Sequence, residues 1–145
     1  MKKLMTIIAG LVALSGTACA DNDRAITMDR LPEQAQEFIA GHFAGEKIAY
    51  VKQERDFFEV KYEVMFVRGA LVEFDRRGRW TEMECRYDVL DAGLVPEQIR
   101  MQVADNWPGN QFRKISRDRK EYEVKLTSGL ELTFDRFFNL MDIDD

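Results

Sequence analysis

Two stretches of this chain repeat each other, and the repeat limits the folds open to it. YEVKLTSGLELTFD, from Tyr122 to Asp135, and YEVMFVRGALVEFD, from Tyr62 to Asp75, carry matching residue types at an offset of 60. In both, Tyr, Val and Phe or Leu alternate with Glu, Lys or Met, the period-two pattern of a strand with one buried face. A glycine, Gly69 or Gly129, marks a tight turn, and each second run ends in Phe-Asp. Each stretch therefore predicts an antiparallel hairpin. Tyr122, Val124, Leu126, Leu130, Leu132 and Phe134 are expected on the core side, and Glu121, Glu123, Lys125, Glu131 and Thr133 on the other.

The correspondence extends upstream. Leu31-Pro32-Glu33 opens a segment in which Ala35, Ile39 and Phe43 recur every four residues, the stripe of a helix that buries one side. Val95-Pro96-Glu97 opens a second, with Ile99, Val103 and Trp107 on the matching stripe, at an offset of 64. Proline suits a first helical turn, where its missing N–H would have had no partner, and glutamate there complements the helix dipole. Each helix leads into a β region, Lys47 to Glu54 or Gln111 to Arg117. The drop in offset from 64 to 60 places four extra residues in the first copy near Phe57 to Val60, lengthening its hairpin or forming a bulge. A last strand follows each hairpin, Trp80 to Cys85 and Leu140 to Ile143.

These elements predict an α+β fold made by tandem duplication of a helix plus four-stranded antiparallel unit. The first unit spans 31–85, the second 95–145, and 86–94 connects them. Asp21 to Arg30 lacks periodicity and reads as a flexible lead-in. One such unit of about sixty residues is marginal alone. Two with their sheets side by side place the helices on one face and leave the other as an open, solvated surface.

The first twenty residues stand apart. Lys2 and Lys3 precede an apolar run from Leu4 to Leu14, too short to span a bilayer, and Ala18-Cys19-Ala20 has the form a signal peptidase cleaves. The expectation is a signal peptide over 1–20, cleavage near Ala20, and a periplasmic or secreted product with no transmembrane span. Acylation of Cys19 is the competing reading. Loss of Lys2 and Lys3 leaves 19 cations against 26 acids, a formal charge of −7. The cations are scattered, which argues against nucleic acid as a partner. Cys85 is then the one remaining thiol, so an intramolecular disulfide is excluded.

Few residues suggest chemistry. The one histidine, His42, sits near a helix C-terminus without a nucleophile or orienting acid in its motif. No phosphate loop or zinc spacing is present, so neither catalytic residues nor a cofactor are assigned. Asp75 and Asp135 have the position of turn-capping acids. Glu82 and Glu84 share one strand face, as do Asp142 and Asp144, and these four are the only candidate cation ligands. In strict alternation, with Met83, Cys85, Met141 and Ile143 toward the helices, Trp80 and Leu140 point to the open face. Large apolar groups there suggest an interface. Alternatively, Trp80 covers an end of the core or lies over Arg77 or Arg79.

The L-P-x-x-A-x-x-F-I and V-P-x-x-I starts, the W-T-E-M-E-C strand and the YEVKL-SGLELTFD-NL-DID segment together resemble the PepSY-like, β-lactamase-inhibitor-like secreted proteins of Bacteroidetes-type bacteria. The likeness runs from about Ile26 to Asp144. It implies a periplasmic or secreted, non-enzymatic domain whose repeats form a concave sheet. The resulting expectation is a binding module that holds a protein or peptide partner, an envelope enzyme being one candidate, through Trp80, Leu140, Glu121, Glu123, Lys125, Glu131 and Thr133. The alternative is a small-ligand or calcium-binding domain using the acidic strands.

Overall fold

The computed structural model describes residues 23–145. The expected signal peptide and Cys19 lie outside them. The strands are β1 (Asp23–Ala25), β2 (Ile48–Arg55), β3 (Val60–Phe66), β4 (Ala70–Phe74), β5 (Trp80–Cys85), β6 (Phe112–Arg117), β7 (Glu121–Leu126), β8 (Glu131–Asp135) and β9 (Leu140–Asp144). Helix α1 (Glu33–His42) separates β1 from β2, and α2 (Glu97–Asn106) separates β5 from β6.

All nine strands lie in one antiparallel sheet in chain order. This corrects the expected tandem of two helix plus four-stranded units: the described residues are strand-rich, forming one continuous sheet with two ten-residue α-helices. The edge of β5 does not end a unit. It pairs directly with β6 through Glu82↔Ser116, Met83↔Ile115 and Glu84↔Lys114. Left unpaired there, β5 would present a row of unsatisfied N–H and C=O groups in mid-molecule. The lead-in supplies the ninth strand, with Asp23, Arg24 and Ala25 pairing with Glu54, Gln53 and Lys52.

Both helices pack on the same side. A ten-residue helix is marginal by itself in water, so its stability comes from the face it buries. Ala35 and Ile39 of α1 and Ile99 and Val103 of α2 are buried in a core that also holds Val64, Val72, Met83, Ile115, Val124 and Leu132. Burying a side chain such as Ile99 is worth about 1.5–3 kcal/mol. Phe43, just past α1, stacks on Phe66 with ring centroids 4.9 Å apart. The helix starts are tied alike: Gln36 Nε2 donates to Leu31 O at 2.8 Å and Arg100 Nε to Val95 O at 3.0 Å.

Four bulges break strict alternation. The extra residues are Ala49, Thr81, Arg113 and Met141, each skipped where its strand's register shifts. A bulge turns every side chain beyond it to the other face.

Candidate functional site

The face turned away from the helices carries two cross-strand rows. One runs Lys52, Glu63, Glu73, Glu82, Ser116 and Glu123, ending at Thr133 and Asp142. Beside it run Tyr50, Met65, Leu71, Glu84, Lys114, Lys125, Glu131 and Asp144. The open face is thus apolar around Tyr50, Met65 and Leu71, then acidic, then mixed in charge.

Its electrostatics follow from that order. Lys52 Nζ lies 3.4 Å from both Asp23 and Glu54 and 3.9 Å from Glu63. Glu63 also accepts a hydrogen bond from the Tyr50 hydroxyl, which raises the tyrosine pKa. Lys114 Nζ lies 3.3 Å from Glu82. Glu73 stands between Glu63 and Glu82, and burial, followed by the charges of Glu82 and Glu63, pushes its pKa up.

Glu121, Glu123, Lys125, Glu131 and Thr133 all lie on this face, because their neighbours Tyr122, Val124, Leu126, Leu132 and Phe134 pack on the helix side. Trp80 and Leu140 do not join them, which corrects the expectation from alternation. The bulges at Thr81 and Met141 set both residues opposite Phe74 and Phe134, on the core side of the sheet. Trp80 is half-buried against the core, with the Arg117 guanidinium 3.8 Å above its ring and Arg117 Nε donating to its carbonyl at 2.9 Å. Burial on that stack lowers the Arg117 pKa.

The four candidate cation ligands do not converge. Glu82 and Glu84 are on β5 and Asp142 and Asp144 on β9, four strands away, about 19 Å at the usual interstrand spacing. Among the described residues, no group of three or more His, Cys, Asp or Glu side chains is placed to hold a metal ion. His42 is exposed beside Phe38, and Cys85 is buried, which pushes its thiol pKa up. Asp75 and Asp135 do cap turns: Asp75 Oδ1 accepts from the amides of Arg77 and Arg79, and Asp135 Oδ1 from those of Phe137 and Asn139.

One feature of the face was not read from the sequence. A groove of about 460 Å³ lies between the tip of the β2–β3 hairpin and the start of β7, with Glu73, Glu82 and Ser116 on its floor and Phe58, Glu121 and Glu123 around it. Phe57 and Phe58 at the hairpin tip are 97% and 94% exposed. The available signal was their position in the four-residue excess of the first hairpin, where a loop has no need of two aromatic residues.

Comparison with known proteins places this geometry among relatives. Residues 60–142 match the family model described as "Putative beta-lactamase-inhibitor-like, PepSY-like". A structure from Bacteroides vulgatus, described as a "putative periplasmic protein" of the DUF2874 family, is 44% identical, with a TM-score of 0.83, over 87% of this chain and 99% of that one. One from Bacteroides thetaiotaomicron, described as a "putative calcium-regulated periplasmic protein", is also 44% identical, with a TM-score of 0.84 over the same shares. A second Bacteroides vulgatus protein, described as periplasmic and of unknown function, is 34% identical, with a TM-score of 0.79 over 85% of this chain and 99% of that one. A search of curated proteins finds no match. Among the described residues, no helix is long and apolar enough to cross a membrane.

Proposed function

Because the chain belongs to the PepSY-like, β-lactamase-inhibitor-like family, we propose that it is a non-enzymatic periplasmic binding module that holds a protein or peptide partner on the open face of its sheet. The groove on that face carries the reading: it is a concave surface formed by paired strands and bordered by the exposed Phe58 side chain. Trp80 and Leu140 are left out of the contact surface, which centres on Glu121, Glu123, Lys125, Glu131 and Thr133. A photo-crosslinking residue at Thr133 or Lys125 is expected to trap a discrete partner in the cell envelope, while one at Ala104 on the exposed side of α2 is not. Equal trapping from both faces, or none from the sheet, overturns the reading.

The leader at 1–20 is the route to the periplasm, with cleavage after Ala20. N-terminal sequencing is then expected to start at Asp21; a chain starting at an acylated Cys19 would identify a lipoprotein instead.

A second reading, response to calcium, is favoured by the description of the Bacteroides thetaiotaomicron neighbour alone. It requires the melting temperature to rise when millimolar calcium is added, and an unchanged melt removes it.

A further inference from the structure

Resting on the open-face reading, we infer that the groove takes a cationic, partly apolar peptide segment of the partner, with Phe57 and Phe58 closing over its apolar side chains. The first observation is a comparison of two turns. At the β2–β3 tip, Asp56 Oδ1 accepts from the amides of Phe58 at 2.9 Å and Glu59 at 2.8 Å, and Asp56 N donates to Glu59 O at 3.0 Å. At the β6–β7 tip, Asp118 Oδ1 accepts from Lys120 at 2.7 Å and Glu121 at 3.0 Å, and Asp118 N donates to Glu121 O at 3.0 Å. The same turn therefore closes around Arg119-Lys120 in one place and Phe57-Phe58 in the other. The fold does not require the aromatic pair, and leaving two phenyl rings in water forgoes their burial, about 1.5–3 kcal/mol for each when covered.

The second observation is where these rings stand. Beyond Gln53↔Tyr62, the first hairpin has two further pairs, Glu54↔Lys61 and Arg55↔Val60, whereas β6 and β7 stop at Arg117↔Tyr122. Two pairs carry the tip about 7 Å further out, and there Phe58 lines the groove as a lip with the exposed Phe57 beside it. The groove's charge specifies the occupant. Seven acids line it against three bases, Lys61, Arg76 and Arg117. Arg117 is held on Trp80, while Glu73, Glu121 and Glu123 have no ion-pair partner within 4 Å among the described residues. Lysine or arginine side chains from a segment lying across the strands would meet these carboxylates, and its apolar side chains would meet the lip. An anionic membrane surface would be repelled by the same acids.

The test is fluorescence anisotropy of the purified protein with a labelled twelve-residue peptide of alternating Lys and Leu, and with its Glu-Leu counterpart. The Lys peptide is expected to bind at least about tenfold tighter, with electrostatic attraction that weakens as salt rises. Phe57→Ser/Phe58→Ser and, separately, Glu121→Lys/Glu123→Lys are each expected to weaken it about fivefold or more. Asp142→Lys/Asp144→Lys changes net charge equally but lies outside the groove, and is expected to alter affinity less than about twofold. Circular dichroism melts confirm that each variant is folded. Equal affinity for the two peptides, binding of neither, or equal losses in both charge variants would overturn the inference. So would flotation with phosphatidylcholine vesicles that depends on Phe57 and Phe58, which would make the lip a membrane contact. A partner trapped at Thr133 whose binding survives the Glu121/Glu123 reversal overturns this inference alone; absence of any adduct from the sheet face removes the open-face reading too.

Discussion

At Glu73 the open face sets one carboxylate directly between two others, Glu63 on β3 and Glu82 on β5. Burial and these neighbours raise its pKa, so ionising this carboxyl costs more in the folded state than in the unfolded one. The side chain contributes most to stability below about pH 4.3, the unfolded glutamate value, and the contribution is lost as pH rises through the higher folded value. Glu73→Gln keeps the side chain neutral throughout. It is expected to stabilise the fold at pH 7 by on the order of 0.5 kcal/mol, read as a higher melting temperature, and to change stability little at pH 4; equal effects at both pH values would refute the assignment. Trp80 makes the opposite case, a residue suspected of function that belongs to structure. Its place was not legible because one extra residue, Thr81, reverses the face of everything N-terminal to it on β5, and a bulge leaves no mark in an alternating pattern. Trp80→Ala is expected to cost about 2 kcal/mol in urea denaturation, for loss of a half-buried indole, and to leave affinity for the cationic peptide within about twofold.

At the scale of elements much more could be read in advance. The Pro-Glu pairs do start both helices, and the two glycines that punctuate the hairpins adopt left-handed backbone, φ 101° at Gly69 and 94° at Gly129. Such signals are local: they depend on a residue's own backbone freedom and on side-chain period. What they omit is how closely one element approaches another. Gly78, in the turn between β4 and β5, has φ 89°, and a Cβ there would sit 2.9 Å from Ala35 N and from Pro32 Cβ at the start of α1. Gly129 has a similar φ but open space around it. Both alanine variants meet the left-handed penalty of about 1–2 kcal/mol, and only Gly78→Ala must also displace a helix N-terminus. Denaturation is therefore expected to rank Gly78→Ala as clearly the more damaging; equal losses would show that α1 yields freely. In the turn between β8 and β9, Phe138 carries the unusual φ of 68°, rests on Tyr122 with ring centroids 5.2 Å apart, and accepts from Gln102 Nε2 at 2.7 Å, tying that turn to α2.

Across the whole molecule, the division into two units suggested by the repeats gives way to one sheet, because the choice of partner for the free edge of β5 is made by chain segments thirty residues apart and has no local signature. The groove shares this origin: its walls come from the β2–β3 tip and β7, brought together only because β5 and β6 join. The buried cluster likewise runs from Leu31 to Phe134 without interruption. Unfolding should then be a single cooperative event, and the chain carries its own reporters, since its two tryptophans are Trp80 in the first half and Trp107 in the second. In Trp80→Phe and Trp107→Phe variants the remaining indole should report the same urea midpoint once the small stability difference between the two variants is corrected by circular dichroism. Met83 and Ile115 face each other across the β5–β6 junction and are both fully buried. Met83→Ala is expected to cost about 2–5 kcal/mol and to shift both reporters equally. Two separated midpoints, with only the Trp80 signal moved by Met83→Ala, would mean that the halves fold independently and that the continuity of the sheet contributes nothing to holding the groove together.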